Sequence, residues 1–284
     1  MTAPVVPTGI ALVRAPIAPL HVEPRVSSAQ SSQALFGHTV WLFEARGDWH
    51  RVRTSHDDYE GWTHAGYLDV LDDAELREVF DGAARDAAEF PGVSFDWSAA
   101  PDAARGRYSL GCTVRAGGRT VRLPLGAWVF EEQVVLGGDV APFAELSERF
   151  PRDGEAVVRT ALRHFESTSY QWGGVTPWGA DCSGLAQSVY ALHGVYIPRD
   201  AWQQAHAGVD AGTDLTAHRP GDLLFFSDRD DRHVTHVGIA AGEGTMCHLA
   251  LGRGGWAVDD LTDDADAYAA RLRTQFVGAR RVLG

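Results

Sequence analysis

Residues 170–194, YQWGGVTPWGADCSGLAQSVYALHG, constrain this chain most, because they commit it to a loop that turns into a helix at a cysteine. Leu185, Val189 and Leu192 gather on one helical face, and Gly194 supplies a permissive C-terminal stop. Asp181 is then the natural N-cap, and Cys182 enters the first turn. Unpaired backbone N–H groups and the positive end of the helix dipole favour a thiolate there. Beside a histidine, such a placement lowers a cysteine pKa from about 8.5 to roughly 3.5–7.5. The competing reading is a buried structural cysteine, the usual fate of an unpaired thiol. Flanking glycines and polar neighbours weigh against it, since a core cysteine needs neither.

A nucleophilic cysteine needs a base, and HVTHVGIAAGEGTMCHLAL (233–251) reads as a β-hairpin. A turn centred on Gly242 places His236 opposite His248, and strand parity points both side chains to one face, with Val237 and Ile239 on the other. One imidazole can then serve as general base toward Cys182 while the other holds its far nitrogen and fixes the tautomer. Met246 shares the histidine face, Cys247 points away into a core, and parity turns His233 aside as a competing base. A metal site made from Cys182, His236 and His248 would want a closing ligand at short spacing, such as C-x-x-C or H-x-x-x-H, and the sequence has none. Cys112, alone in the strand-like YSLGCTVRA, reads as a small core residue.

The run YQWGG, DCSGLAQ, GVYIPRD, RPGDLLFF, THVGIA and CHLA, in that order, resembles the NlpC-type (p-sixty) family of papain-like cysteine peptidases that cleave peptidoglycan peptides. The resemblance covers roughly residues 152 to 284. It implies Cys182 as nucleophile, His236 as base and His248 as the orienting third residue. Tyr170 falls where the family places a tyrosine that helps bind the oxyanion, with the Cys182 backbone N–H as the other donor. Trp172, Asp181 and Ser183 fall on positions that line the substrate groove. This thiol chemistry needs no metal or organic cofactor.

Length and composition agree with more than one domain: 284 residues exceed the usual single-core size, and 45% hydrophobic content is ordinary for a globular protein. A net charge of −13 argues against nucleic acid and against anionic membrane surfaces as partners. The N-terminal MTAPVVPTGIALVRAPIAPLHVEP has no basic n-region followed by an unbroken apolar run, so neither a signal peptide nor a membrane span is expected. Three widely spaced cysteines do not suggest a disulfide framework, and a reducing cytoplasm fits them.

Ahead of the catalytic region, LFGHTVWLFEARGDWHRVRTSHDDYEGWTHAGYLDV alternates apolar and polar residues between turn signals, as a small barrel does. GDWHRVR followed by YEGWTHAGYL resembles bacterial SH3-like domains that precede this type of peptidase. The expected organisation is a first SH3-like domain over 1–74, a connector helix (about 75–89) and second SH3-like module over 75–148, and the peptidase over 149–284. The fold class is α+β: two small SH3-like β-barrels followed by a papain-like catalytic domain with helices packed on an antiparallel sheet.

Two such modules ahead of the peptidase resemble a subgroup of γ-D-glutamyl-L-diamino acid endopeptidases that act on free murein peptides in recycling and select a free L-alanine amine. The expected partners are peptidoglycan-derived peptides, with Tyr59 approaching that amine and Asp181 supplying negative charge. The chain departs from the subgroup where an acid is replaced by Ala29 and where a serine is replaced by Ala201 in PRDAWQQ. Losing one charged hydrogen bond to a substrate ammonium costs about 1.5–3 kcal/mol unless another group, such as Glu23, replaces it. An inactive cell-wall binding protein and an acyl transferase on the same fold are the competing functional classes.

Overall fold

Alternating small apolar and polar residues at the start of the chain form seven antiparallel strands: Gly9–Val13 (β1), Ile17–His21 (β2), Gln30–Leu35 (β3), Thr39–Arg46 (β4), Trp49–Thr54 (β5), Glu60–His64 (β6) and Leu68–Val70 (β7). They pair in the order β3-β2-β6-β5-β4-β1-β7. Ala34 on edge strand β3 and Leu68 on edge strand β7 share one core with Ala11, Val13, Leu20, Val40 and Val52, so the sheet curls until its two edges face a common interior. That is the small barrel the alternation implies. The computed structural model describes residues 6–72 and 106–283. The connector helix expected over 75–89 lies outside the described residues.

Arg107–Ala116 (β8), Arg119–Val129 (β9) and Val134–Pro142 (β10) form a three-stranded antiparallel sheet, order β10-β8-β9, in the stretch assigned to the second module. It belongs to the same compact unit as the barrel, Met1–Glu145. Trp128 N–H donates to Phe36 O (2.8 Å), and His38 Nε2 bonds Gly126 O at 3.0 Å. Leu35 N–H donates to His38 Nδ1 at 3.3 Å. With Nδ1 occupied as an acceptor, His38 is neutral and carries its proton on Nε2. Burial, and then the neighbouring His56, push its pKa down to about 3. An unfolded histidine titrates near 6.5, so the unfolded chain binds the extra proton first. Stability from this site is therefore complete above about pH 6.5 and is lost as pH falls toward 3. The expected result is that the His38 ring signal shows no titration between about pH 5 and 8 by NMR; a midpoint near 6.5 would contradict the buried neutral ring.

The second unit, Leu146–Gly284, opens with a short helix Leu146–Arg149 (α1) and the amphipathic helix Gly154–Phe165 (α2), capped by Asp153, whose carboxylate accepts from Ala156 N–H at 3.1 Å. A two-strand ribbon, Val175–Thr176 (β11) and Gly179–Ala180 (β12), leads into Cys182–Leu192 (α3), followed by Ala201–Gln204 (α4). The remaining strands are Val209–Asp210 (β13), Leu223–Phe226 (β14), His236–Gly242 (β15), Thr245–Ala250 (β16) and Gly255–Asp260 (β17); Ala267–Gln275 (α5) and Phe276–Arg281 (β18) close the chain. Six of these strands form one antiparallel sheet in the order β13-β18-β14-β15-β16-β17. Leu224, Phe226, Ala240 and Met246 cluster with Leu272 of α5 on one side. The alternate residues Leu223, Phe225, Val237 and Ile239 are equally buried, and α2 and α3 pack against β15 and β16. The site thus grows from a sheet covered on both faces.

Candidate active site

Cys182 is the first residue of α3, and the loop before it is fixed by one carboxylate. Asp181 caps the helix by accepting from Gly184 N–H (2.8 Å), and it also accepts from Gly173 N–H (2.8 Å) and Ser183 Oγ (3.2 Å). Arg199 grips the same carboxylate with both arms of its guanidinium, Nη1 to Oδ1 at 3.0 Å and Nη2 to Oδ2 at 2.8 Å. Its Nη1 also donates to Ser183 Oγ (2.9 Å) and its Nη2 to Gly174 O (3.3 Å). The Arg199 side chain is only 1% exposed. A side chain at Gly184 would collide with Gly174 O, so the first turn of α3 rests directly on the glycine loop. Asp181 and Ser183, expected to face the substrate groove, also hold this loop through their polar atoms.

The thiol departs from the helix-start expectation. Burial, and next the Asp181 charge, push Cys182 up to about 12; N–H groups of Val237 and Ser183 directed at Sγ and the Arg199 charge offset only part of this. The general rule counts helix end and neighbouring histidine, whereas here the whole side chain is enclosed and an anion sits beside it. Burial, then the neighbouring His248, push His236 down to about 3. Both groups are therefore held in their neutral forms near pH 7.

The two histidines meet, but through a different register from one centred on Gly242. Ile239 pairs with Cys247 and Ala240 with Met246, which sets Gly238 opposite His248. The chain turns at Glu243 and Gly244, both with positive φ (52° and 80°), after a bulge between Ala240 and Gly242. The shift is by two residues, so parity survives and both rings keep one face. A Cβ on Gly238 would lie 2.6 Å from Met246 Sδ and 3.4 Å from His248 Cβ. That bare position lets the rings approach diagonally, with His236 Nε2 to His248 Nδ1 at 2.7 Å.

Beyond them lies a group the sequence reading does not single out. His248 Nε2 contacts Asp259 Oδ2 at 2.8 Å, and Arg253 Nη2 donates to Asp259 Oδ1 at 2.7 Å. Asp259 stands on β17, where Ala257 pairs with His248, so alternation brings its side chain to the histidine face. A polar residue recurring at an inward strand position was the available signal. Arg199 belongs to the GVYIPRD run, but nothing in that run names Asp181 as its partner.

Tyr170 is half-buried; burial and then the Cys182 and Asp181 charges raise its pKa, so its hydroxyl stays protonated and available to donate. Trp172 is 66% exposed. Tyr59 lies in the first unit, packed on the barrel core with its hydroxyl donating to Ser31 O at 3.4 Å. Glu23 pairs with Arg25 at 2.7 Å. Ala201 is buried at the start of α4 behind the Asp200 cap. His233 is exposed, stacked on Trp202 with ring centroids 6.0 Å apart. Among the described residues no cluster of three or more His, Cys, Asp or Glu is arranged to hold a metal ion, and no helix is long and apolar enough to cross a membrane.

Residues 167–270 match the NlpC/P60 family, and residues 20–65 match the bacterial dipeptidyl-peptidase Sh3 domain. The chain is 36% identical over 145 residues to the gamma-D-glutamyl-L-lysine dipeptidyl-peptidase of Bacillus subtilis (strain 168), covering 51% of this chain and 46% of that protein. It is 29% identical over 275 residues to dipeptidyl-peptidase 6 of Lysinibacillus sphaericus, covering 93% of this chain and 96% of that one. The match therefore spans about half the first relative's length and nearly all of the second's. Among solved structures, an NlpC/P60 family protein from Bacillus cereus ATCC 10987 shares the fold with a TM-score of 0.69 at 17% identity, over 97% of this chain and 100% of that one.

Proposed function

We propose that this chain, which carries an NlpC/P60 cysteine peptidase domain behind a bacterial dipeptidyl-peptidase SH3 domain, hydrolyses the γ-D-glutamyl to L-diamino acid bond of peptidoglycan-derived peptides. The observation that carries the reading is the hydrogen-bonded pair His236–His248 on one sheet face (2.7 Å), beside a cysteine whose sulfur meets the Val237 N–H. His236 Nε2 is engaged by His248, which leaves Nδ1 for the thiol. Relatives named for γ-D-glutamyl-L-lysine cleavage support the choice of bond.

In this mechanism Cys182 attacks the γ-carbonyl of D-glutamate as its proton passes to His236. The Cys182 N–H and the protonated Tyr170 hydroxyl hold the oxyanion. His236 returns the proton to the departing amine, and water activated by the same ring clears the acyl-enzyme. Cytoplasmic recycling of free peptides with an unblocked L-alanine is the biological setting we favour. Within the peptidase unit, Trp172 is the side chain assigned to the substrate. Because Asp181 is committed to Arg199, and Ala29 supplies no charge, an alanine ammonium would rely on other groups for its counter-charge.

The test compares L-Ala-γ-D-Glu-meso-diaminopimelate with the same peptide carrying N-acetylmuramic acid on alanine, following release of diaminopimelate. Faster cleavage of the free peptide by about tenfold or more is the expected result, as loss of a charged contact would produce. Equal rates would move the enzyme to wall hydrolysis. Cleavage of neither would end the γ-D-glutamyl reading.

A further inference from the structure

We propose that Asp259 is a positioning residue that dictates where the protons sit on both histidines, so that Cys182, His236, His248 and Asp259 act as one four-membered chain. The proposal rests on the thiol-peptidase reading for its catalytic meaning, but the proton placement itself is a property of the resting protein.

Burial raises Asp259, but hydrogen bonds from His248 and Arg253 outweigh it and hold the group below its ordinary value, so it is ionised. An ionised carboxylate only accepts hydrogen bonds, and at 2.8 Å from Asp259 Oδ2 the His248 Nε2 must carry a proton. A neutral His248 is then bare at Nδ1. At 2.7 Å from that bare nitrogen, His236 Nε2 must be the donor. A neutral His236 is consequently bare at Nδ1, the one ring nitrogen left to receive the thiol proton. The tautomer of His236 is thus set, through His248, by a carboxylate that never touches it, by the logic that gives the aspartate of serine-protease triads its role.

The surroundings hold this arrangement. Arg253 donates to both Asp259 oxygens (Nη2 to Oδ1 at 2.7 Å, Nε to Oδ2 at 3.4 Å), is itself paired with Asp266, and lies 4.5 Å over the Tyr268 ring. The groups packed against the histidine pair are Tyr268 from α5 (6.3 Å from the His248 ring), Phe226 from β14 (5.9 Å from the His236 ring) and Asp259 from β17 with Arg253 behind it, while the Cys182 sulfur receives the N–H of Val237, the residue after His236 on β15. Asp259 is therefore the anion that hydrogen-bonds the pair. When the thiol proton moves to His236 Nδ1, the Nε2 proton can pass to His248 Nδ1. The positive charge then rests on the ring bonded to Asp259, and the thiolate keeps the electron pair. The same two protons return in reverse order when the amine leaves.

Long-range ¹H–¹⁵N spectra of the full chain near neutral pH test this without substrate. Protonated Nε2 and bare Nδ1 on both His236 and His248 are expected; a proton on Nδ1 of either ring overturns the proposal. Asp259→Asn should lower kcat on the tripeptide by about 10- to 100-fold with little change in KM. It should also move the acid limb of the pH profile downward, because an anion that favours the histidine cation is gone. Arg253→Ala should move that limb upward, since it removes a nearby positive charge. A structural defect would not produce opposite shifts. Asp259→Asn with kcat within about threefold of the parent and an unmoved limb would refute the role. If the tripeptide is not cleaved at all, the spectra still decide the tautomers, and if Asp259→Asn fails to fold, the parent spectra and Arg253→Ala remain.

Discussion

Cys182→Ala is expected to reduce hydrolysis of L-Ala-γ-D-Glu-meso-diaminopimelate by about 10⁴- to 10⁶-fold, the range seen when a nucleophile acting as part of a unit is removed. The fold should persist, since alanine keeps the helical backbone and the loop is held by Asp181, Gly184 and Arg199, not by sulfur. The other two cysteines provide the contrast. Cys247 is fully buried on the opposite sheet face, pushed up to about 12 by burial with its sulfur 3.6 Å from Ile239 O, and Cys112 bonds Ser109 Oγ at 3.3 Å in the first unit. Among the described residues neither sulfur is hydrogen-bonded to a histidine, so Cys112→Ala and Cys247→Ala should leave turnover within severalfold of the parent and show their effects in thermal stability. Product release by Cys182→Ala above about one per cent of the parent rate would eliminate covalent catalysis by this thiol.

Local rules read the helix and the hairpin because each advertises itself within a few residues. Asp181 before an apolar stripe ending at Gly194 is a start and a stop, and α3 occupies that interval. The hairpin was harder to place. Glu243 in the left-handed region is an uncommon choice for a non-glycine residue, so Gly242 looks like the better turn centre until the bulge beside it is seen. The error was even-numbered, and a two-residue slip preserves which side chains share a face. Proton affinities were illegible for another reason. Helix-end and neighbour rules lower a thiol, while enclosure raises it, and enclosure is a product of tertiary packing that no window of sequence contains. Asp259 and Arg199 escaped for the same cause: their meaning lies in partners 11 and 18 residues away, brought close by strand pairing and by the loop after α3.

Arg199 carries the largest expected effect on stability. Its guanidinium is buried against Asp181 in a two-armed pair, with Ser183 Oγ and Gly174 O taking further donors. Arg199→Met fills much of the volume but leaves the Asp181 carboxylate enclosed with only the Gly173 and Gly184 N–H groups and Ser183 Oγ. Uncompensated buried charge of this sort costs about 3–5 kcal/mol. For a unit of this size that corresponds to a fall of roughly 10 °C or more in Tm. Arg199→Lys should recover little, because an ammonium cannot span both oxygens and Ser183 at once. Asp181→Asn combined with Arg199→Met removes the stranded charge, and the pair should be less destabilised than Arg199→Met alone, a coupling that thermal or urea unfolding of the four proteins would measure. If Arg199→Met unfolds within about 1 kcal/mol of the parent, the Asp181 charge is being neutralised some other way. Turnover in Arg199→Met should fall as well, since the carboxylate that pulls on Arg199 also caps the turn bearing Cys182, and freeing it loosens the loop on which the sulfur is aimed.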